Sequence, residues 1–200
     1  IETWFVSRLG TDALAGMALV FPGFMMMQML SAGAVGGGIS SAVARALGAG
    51  RDEEAGRLAQ QSLLIACVFA AAFMLVLLGF GRNVYAAMGG RGAALDAAVA
   101  YSNVLFSGAI VIWATNVLGA VVRGAGNMLL PALMLVLTAL IHLVLCPTLV
   151  FGWGPIPALH IAGSAWATFI ANVVSLVAMV TFLYRTRNPL CLHRDELAQL

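Results

Sequence analysis

The sequence contains no lysine, and charged residues of both signs make up only 9% of its 200 positions. A soluble domain carries about 25% charged and 45–50% apolar residues. Here 62% of residues are hydrophobic and the mean hydropathy is +1.00, which excludes a soluble globular domain. The net charge of +2, spread over scattered arginines, gives no electrostatic footprint for nucleic acid. Cysteine is scarce as well. Cys67, Cys146 and Cys191 stand at irregular spacing and supply neither a disulfide framework nor a zinc pattern. The first residues lack an initiator Met and the basic n-region of a signal peptide, so the chain is read as a fragment starting inside a longer pattern. The apolar runs contain no Ser/His pair, HExxH or carboxylate dyad. No enzyme, cofactor or metal site is therefore expected.

What the chain does have is long uncharged runs. From Gly124 to Tyr184, 61 residues pass without an Asp, Glu, Lys or Arg. As one helix this would be about 90 Å long at 1.5 Å per residue. A bilayer core is about 30 Å thick, so the run must cross, turn and cross back. The turn is Phe151-Gly152-Trp153-Gly154-Pro155-Ile156-Pro157, whose glycines and prolines break a helix. Trp153 stands there as an interfacial aromatic would.

The same arrangement repeats along the chain. Helical spans are expected at 13–37, 58–80, 97–120, 129–151 and 160–183, with residues 1–7 ending a preceding span. The runs are too long and too continuous for barrel strands. Arg45, Arg51, Arg57, Arg123, Arg185, Arg187 and Arg194 fall on one set of connectors, and Arg8, Arg82 and Arg91 on the other. The positive-inside rule puts the larger set in the cytoplasm.

Between spans, Arg45 to Arg57 reads as a solvated connector. Asp52-Glu53-Glu54 suits a first helical turn, and Glu53 and Arg57 are spaced for an i,i+4 ion pair. Gly79 to Gly92 reads as a turn region. The small-residue run Ser31 to Gly38 lacks the Lys-Ser/Thr of a phosphate loop. It is expected to be a packing face, with Gly33 and Gly37 at spacing four admitting a neighbouring backbone.

Polar groups inside spans cost free energy, so each is a functional candidate. They are Glu2, Gln28, Asn103, Asn116, His142, Cys146, Thr168 and Asn172. For a lone amide, helix–helix hydrogen bonding is the commoner role, at about 0.6–2 kcal/mol. His142 and Cys146 share a helix face, but two ligands do not make a metal site. Glu2 is the carboxylate placed to exchange a proton. Composition leaves open whether it lies at membrane depth or at a water-exposed helix end.

Several stretches resemble the multidrug and toxic compound extrusion (MATE) transporters. Ile1-Glu2-Thr3-Trp4-Phe5-Val6 through Leu9-Gly10, with Ala13-Leu14-Ala15, looks like the end of the family's helix 1 and the start of helix 2. Arg45-Ala-Leu-Gly-Ala-Gly50 with Ala55 looks like the loop between helices 2 and 3, and Arg123-Gly-Ala-Gly126 with Pro131 like the loop before helix 5. Cys146-Pro147 through Phe151-Gly152, Gly154-Pro155, Pro157-Ala158-Leu159, Ile161-Ala162-Gly163 and Ala167-Thr168 resemble the helix 5–6 hairpin. The motifs occur in order, each at a span boundary.

The resemblance implies an all-α integral membrane protein, a helical bundle corresponding to one six-helix lobe of a twelve-helix antiporter. Residues 1–184 would form a partial N-terminal lobe, and 185–200 a cytoplasmic linker toward a second lobe of the same polypeptide. The implied activity is export of organic cations or amphiphiles across the cell inner membrane in exchange for H⁺ or Na⁺. Glu2 holds the place of the family's helix 1 Asp. His142 and Cys146 hold the places of an Asn and an Asp in helix 5, so His142 either takes over as a second titrating group or stays neutral and hydrogen-bonded. Gln28, Asn116, Cys146, Thr168 and Asn172 are the substrate-cavity candidates. Two rival readings are a related lipid-linked oligosaccharide flippase and a non-transporting membrane scaffold. The flippase is disfavoured because no basic residue lies between span ends, and the scaffold has no reason to bury Glu2.

Overall fold

A computed structural model describes residues 2–152 and 157–185, with Tyr184 and Arg185 described by backbone alone. Its elements are α-helices α1 (Glu2–Ser7), α2 (Thr11–Gln28), α3 (Gly36–Gly48), α4 (Asp52–Ala87), α5 (Gly92–Ser107), α6 (Ala109–Gly124), α7 (Leu129–Phe151) and α8 (His160–Arg185). A π-helical segment, Met29–Val35, joins α2 to α3 without a break. Among the described residues, Thr11–Gly48, Asp52–Ala87, Leu129–Phe151 and His160–Leu183 are each long and apolar enough to cross a bilayer. The α5–α6 pair, bent by 48°, makes a fifth crossing when taken as one broken span. This is the all-helical membrane bundle that the charge-poor runs dictate.

Three local expectations are corrected. The region from Gly79 to Gly92 is not all turn, because α4 stays helical through Gly79, Gly81 and Arg82 to Ala87. Tyr85 holds that last part, its hydroxyl 2.6 Å from the Ser102 hydroxyl of α5, and a positive-φ Gly89 makes the turn. The span at 97–120 is broken at Gly108, where the Phe169 ring of α8 presses into the space a Cβ would occupy. Glycine is a common site of such kinks. In the charged loop the ion pair is Arg51–Glu54, at 2.7 Å, and Glu53 and Arg57 do not pair.

The small-residue run also packs differently from its spacing. Among the described residues, a Cβ built on Gly33 or Gly37 would meet no other part of the chain within 4 Å, while Gly36 is buried against Ala120 of α6. The π-helical turn changes the angular register, so the face that meets α6 carries Gly36, Ile39 and Val43. Close backbone approach occurs elsewhere. A Cβ on Gly16 of α2 would lie 2.8 Å from Ala97 of α5, and one on Gly124 would lie 2.6 Å from the Ser40 carbonyl of α3. Gly163 of α8 sits against the backbone of Leu149 in α7. Lipid supplies no hydrophobic drive between helices, so such contacts work through dispersion and need small residues.

The α7–α8 hairpin is antiparallel, as the sequence requires. Helix α7 ends at Phe151, Gly152 takes φ 76°, and the Leu159 N–H donates to the Leu149 carbonyl at 2.9 Å before α8 begins. Trp153, expected at the interface, lies outside the described residues, as does the linker assigned to 185–200 beyond its first residue. Short α1 turns at Gly10 (φ 111°) and packs on α2, α7 and α8. That packing sets Glu2 against the middle of the hairpin.

Candidate functional site

A cavity of about 690 Å³ lies between α6, α7 and α8, with Glu2, the end of α2 and Tyr101 completing its walls. This volume falls in the range of pockets for drug-sized molecules, about 300–1,000 Å³. Most of the wall is apolar, including Phe24, Met134 and Leu135. Two hydrogen-bonded clusters interrupt it.

The first cluster surrounds Glu2. Its Oε1 accepts hydrogen bonds from the Tyr101 hydroxyl at 3.1 Å and from the Ser164 hydroxyl. Its Oε2 lies 3.7 Å from Nε2 of His142. The two side chains keep only 29% and 20% of their surface exposed, so the pair is mostly shielded, and both border the cavity. Nδ1 of His142 lies 3.4 Å from Oγ1 of Thr168, whose hydroxyl proton goes to the Ser164 carbonyl at 3.2 Å. With that proton given to the carbonyl, Thr168 offers His142 an acceptor, and the ring turns Nε2 toward Oε2 of Glu2. Asn172 stands next along the same face of α8, donating to the Thr168 carbonyl at 2.8 Å.

The second cluster is neutral. Nδ2 of Asn116 on α6 lies 2.8 Å from both Oε1 of Gln28 and Oγ of Ser31. Ser31, fully buried in the π-helical segment, donates to the Gln28 carbonyl at 3.3 Å. A π-helical turn widens the backbone and is frequent at functional sites. Here it brings Ser31 and Gln28 to one side chain of a distant helix.

Glu2, Gln28, Asn116, His142, Thr168 and Asn172 all border the cavity. Cys146 does not. It is fully buried in the seam between α7 and α8, among Val150 and Ala167, because its position on α7 faces α8 and α1. Asn103 is exposed and takes no part. Sequence reasoning missed Tyr101, Ser164 and Ser31, since a hydroxyl in an apolar helix is ordinary. Ser164 had a signal, for Ser164, Thr168, Asn172 and Ser175 recur at helical spacing along α8.

Arg123 is a further correction. Assigned by sequence to a connector, it lines the cavity from the last turn of α6. The absence of basic residues between span ends therefore no longer separates the readings.

Comparison with known proteins agrees with this architecture. The MatE family model matches residues 1–148. The chain is 31% identical over 175 residues to the "FAD transporter" of Shewanella oneidensis, covering 88% of this chain and 38% of that protein. It is 26% identical over 184 residues to the "probable multidrug resistance protein YoeA" of Bacillus subtilis, covering 91% and 39%. An inward-facing multidrug resistance MATE transporter superposes with TM-score 0.89 at 31% identity, over 96% of this chain and 42% of that one. A transporter of the MOP superfamily from Pyrococcus furiosus does so with TM-score 0.85 at 32% identity, over 94% and 40%. The chain spans about two fifths of the length of the relatives it matches. Apolar crossings, a cavity walled by α6, α7 and α8, and a family match over most of its length together mean that this chain belongs to the MatE family of membrane transporters.

Proposed function

We propose that this chain forms much of one lobe of an alternating-access antiporter of the cell inner membrane. The complete protein moves organic cations or amphiphiles outward, driven by H⁺, with Glu2 as the coupling carboxylate. One observation carries the reading: a shielded carboxylate on the cavity wall with an imidazole nitrogen 3.7 Å away. Imidazole and carboxylate are side chains that commonly carry protons in proteins, and here they face each other. A hard cation such as Na⁺ prefers several oxygen ligands. Here Oε1 is already taken by two hydroxyl donors and Oε2 faces nitrogen, so H⁺ is favoured over Na⁺.

Coupling requires that the two access states hold the proton with different affinity. Glu2 sits on short α1, braced by side chains of α5, α7 and α8, so any rearrangement of α1 changes its partners and its hold on the proton. Rocking of one lobe against the other supplies such a change. In this reading residues 185–200 lead toward the second lobe, and Arg51 and Arg187 face the cytoplasm. Single cysteines placed at 51 and 91 in a cysteine-free background test the orientation. The impermeant reagent should label 91 and not 51 from outside intact cells, and the reverse pattern refutes it.

The mechanism is tested with the complete transporter in proteoliposomes. Under an imposed pH gradient, efflux of tetraphenylphosphonium should collapse in Glu2→Gln while equilibrium binding survives. Efflux at the wild-type rate would remove Glu2 from the mechanism.

A further inference from the structure

The two hydroxyls that bind Glu2 reach one oxygen from different helices. Oε1 accepts from Tyr101 of α5 at 3.1 Å and from Ser164 of α8. Both bonds coexist only at one separation of α5 from α8. At 3.1 Å the tyrosine bond already lies at the long end of the O–H···O range, so a small widening of the helix pair breaks it.

That separation is set further along the same seam. A Cβ on buried Gly108, where the broken span bends by 48°, would collide with the edge of the Phe169 ring of α8, whose Cε2 would lie 3.1 Å away. The ring is braced in turn by Trp166 in a T-shaped contact, with centroids 5.6 Å apart. Tyr101 stands two turns before Gly108, and Ser164 just over one turn before Phe169. These steps are about 10 Å and 8 Å on helices that rise 1.5 Å per residue. The contacts therefore follow in the same order on both helices. Between them, Ala165 of α8 shares the buried core with Tyr101, Leu105 and Phe106 of α5. A close-packed seam of this kind transmits a displacement rather than absorbing it.

We propose that Phe169, seated on Gly108, is a positioning residue for the coupling carboxylate: it holds α5 against α8 at the separation from which Tyr101 and Ser164 share Oε1 of Glu2. The proposal rests on the antiport reading above and adds to it two residues that are not on the cavity wall. The same turn of α8 carries Thr168, which meets His142, the neighbour of Oε2. Both oxygens of Glu2 therefore depend on where this turn sits.

The test uses the complete transporter, in proteoliposomes for pH-driven efflux of tetraphenylphosphonium and in detergent for its equilibrium binding and for thermal unfolding. Gly108→Ala should slow efflux about tenfold, the scale of one hydrogen bond to a charged acceptor, with binding at the wild-type value. Phe169→Leu should slow it as well, because the seam loses its spacer. Combining the two should restore most of the rate, since the smaller side chain makes room for the new methyl. Tyr101→Phe should lower both the efflux rate and the unfolding temperature of the wild type, and lower neither in Gly108→Ala, where its bond is already lost. A wild-type efflux rate in Gly108→Ala overturns the proposal. So does an undiminished effect of Tyr101→Phe in that background, or a loss of binding that parallels the loss of efflux, which marks a purely structural role. If Gly108→Ala fails to fold, Phe169→Leu serves as the background for the same comparison with Tyr101→Phe. Efflux indifferent to Glu2→Gln would end the antiport reading separately. The unfolding comparison of Tyr101→Phe in the two backgrounds would then still decide whether Phe169 places its hydroxyl.

Discussion

Two hydrogen-bonded clusters face the same cavity, and they differ in what they can do. The Glu2 cluster joins α1, α5, α7 and α8 and contains two groups that can change charge. The Asn116 cluster joins α6 to the junction of α2 with the π-helical segment and contains none. Both are assembled from residues far apart in sequence. The first can respond to a proton, whereas the second can only fix geometry. On the reading proposed above, the first is where the proton acts and the second holds the frame around it.

The comparison breaks most decisively at Glu2. Glu2→Gln should bring proton-driven efflux in the complete transporter to background, whereas Asn116→Ala should slow transport and leave it coupled to the gradient. Uncoupled transport in both variants would mean that the neutral cluster also belongs to the proton pathway.

A smaller effect is expected at Tyr101. Tyr101→Phe removes one hydrogen bond to a charged acceptor, and transport should fall by about tenfold. The same change made in the Glu2→Gln protein should add little, because the residues act as one unit. Additive losses would show that Tyr101 acts independently of the carboxylate.

On the neutral side the expected losses concern stability. Asn116→Ala strips Gln28 and buried Ser31 of a shared donor, so unfolding stability in detergent should drop by about 1–2 kcal/mol. A stability equal to that of the wild type would leave the π-helical segment without its proposed anchor. The smallest change is expected from Gly33→Ala in that segment. Nothing lies within 4 Å of the new methyl group, and the better helix former should raise stability by up to about 1 kcal/mol. A clear loss in the complete transporter would place a helix of the second lobe against this face.

Residues of the two clusters were unequally visible in the sequence. Glu2, His142, Gln28, Asn116 and Asn172 stood out because ionisable and amide groups are rare within apolar runs, and Thr168 because it matches a polar position of the resembled family. Ser164 and Ser31 did not, because a serine hydroxyl in a helix can return its proton to the preceding turn and costs little there, and Tyr101 did not because its ring reads as an ordinary aromatic of an apolar run. Arg123 was misjudged for a different reason. It sits where a span ends, and only the convergence of α6 and α7 brings a cavity to that level. Gly33 and Gly37 meet no described helix of this chain, because their spacing assumes an α-helical register, which the π-helical turn alters.

The sequence by itself determined the membrane crossings and the α7–α8 reversal. Removing charge from long runs leaves a bilayer as the suitable solvent, and the glycines and prolines that follow Phe151 in the sequence disfavour a longer α7. These are local costs, paid residue by residue, and a linear reading can add them. Tertiary structure alone decided that Glu2 meets Tyr101, Ser164 and His142, that Cys146 faces a helix seam, and that Arg123 opens onto the cavity. Those outcomes depend on which face of each helix turns inward. In lipid no hydrophobic contrast marks that face, so close packing and hydrogen bonding between distant segments select it.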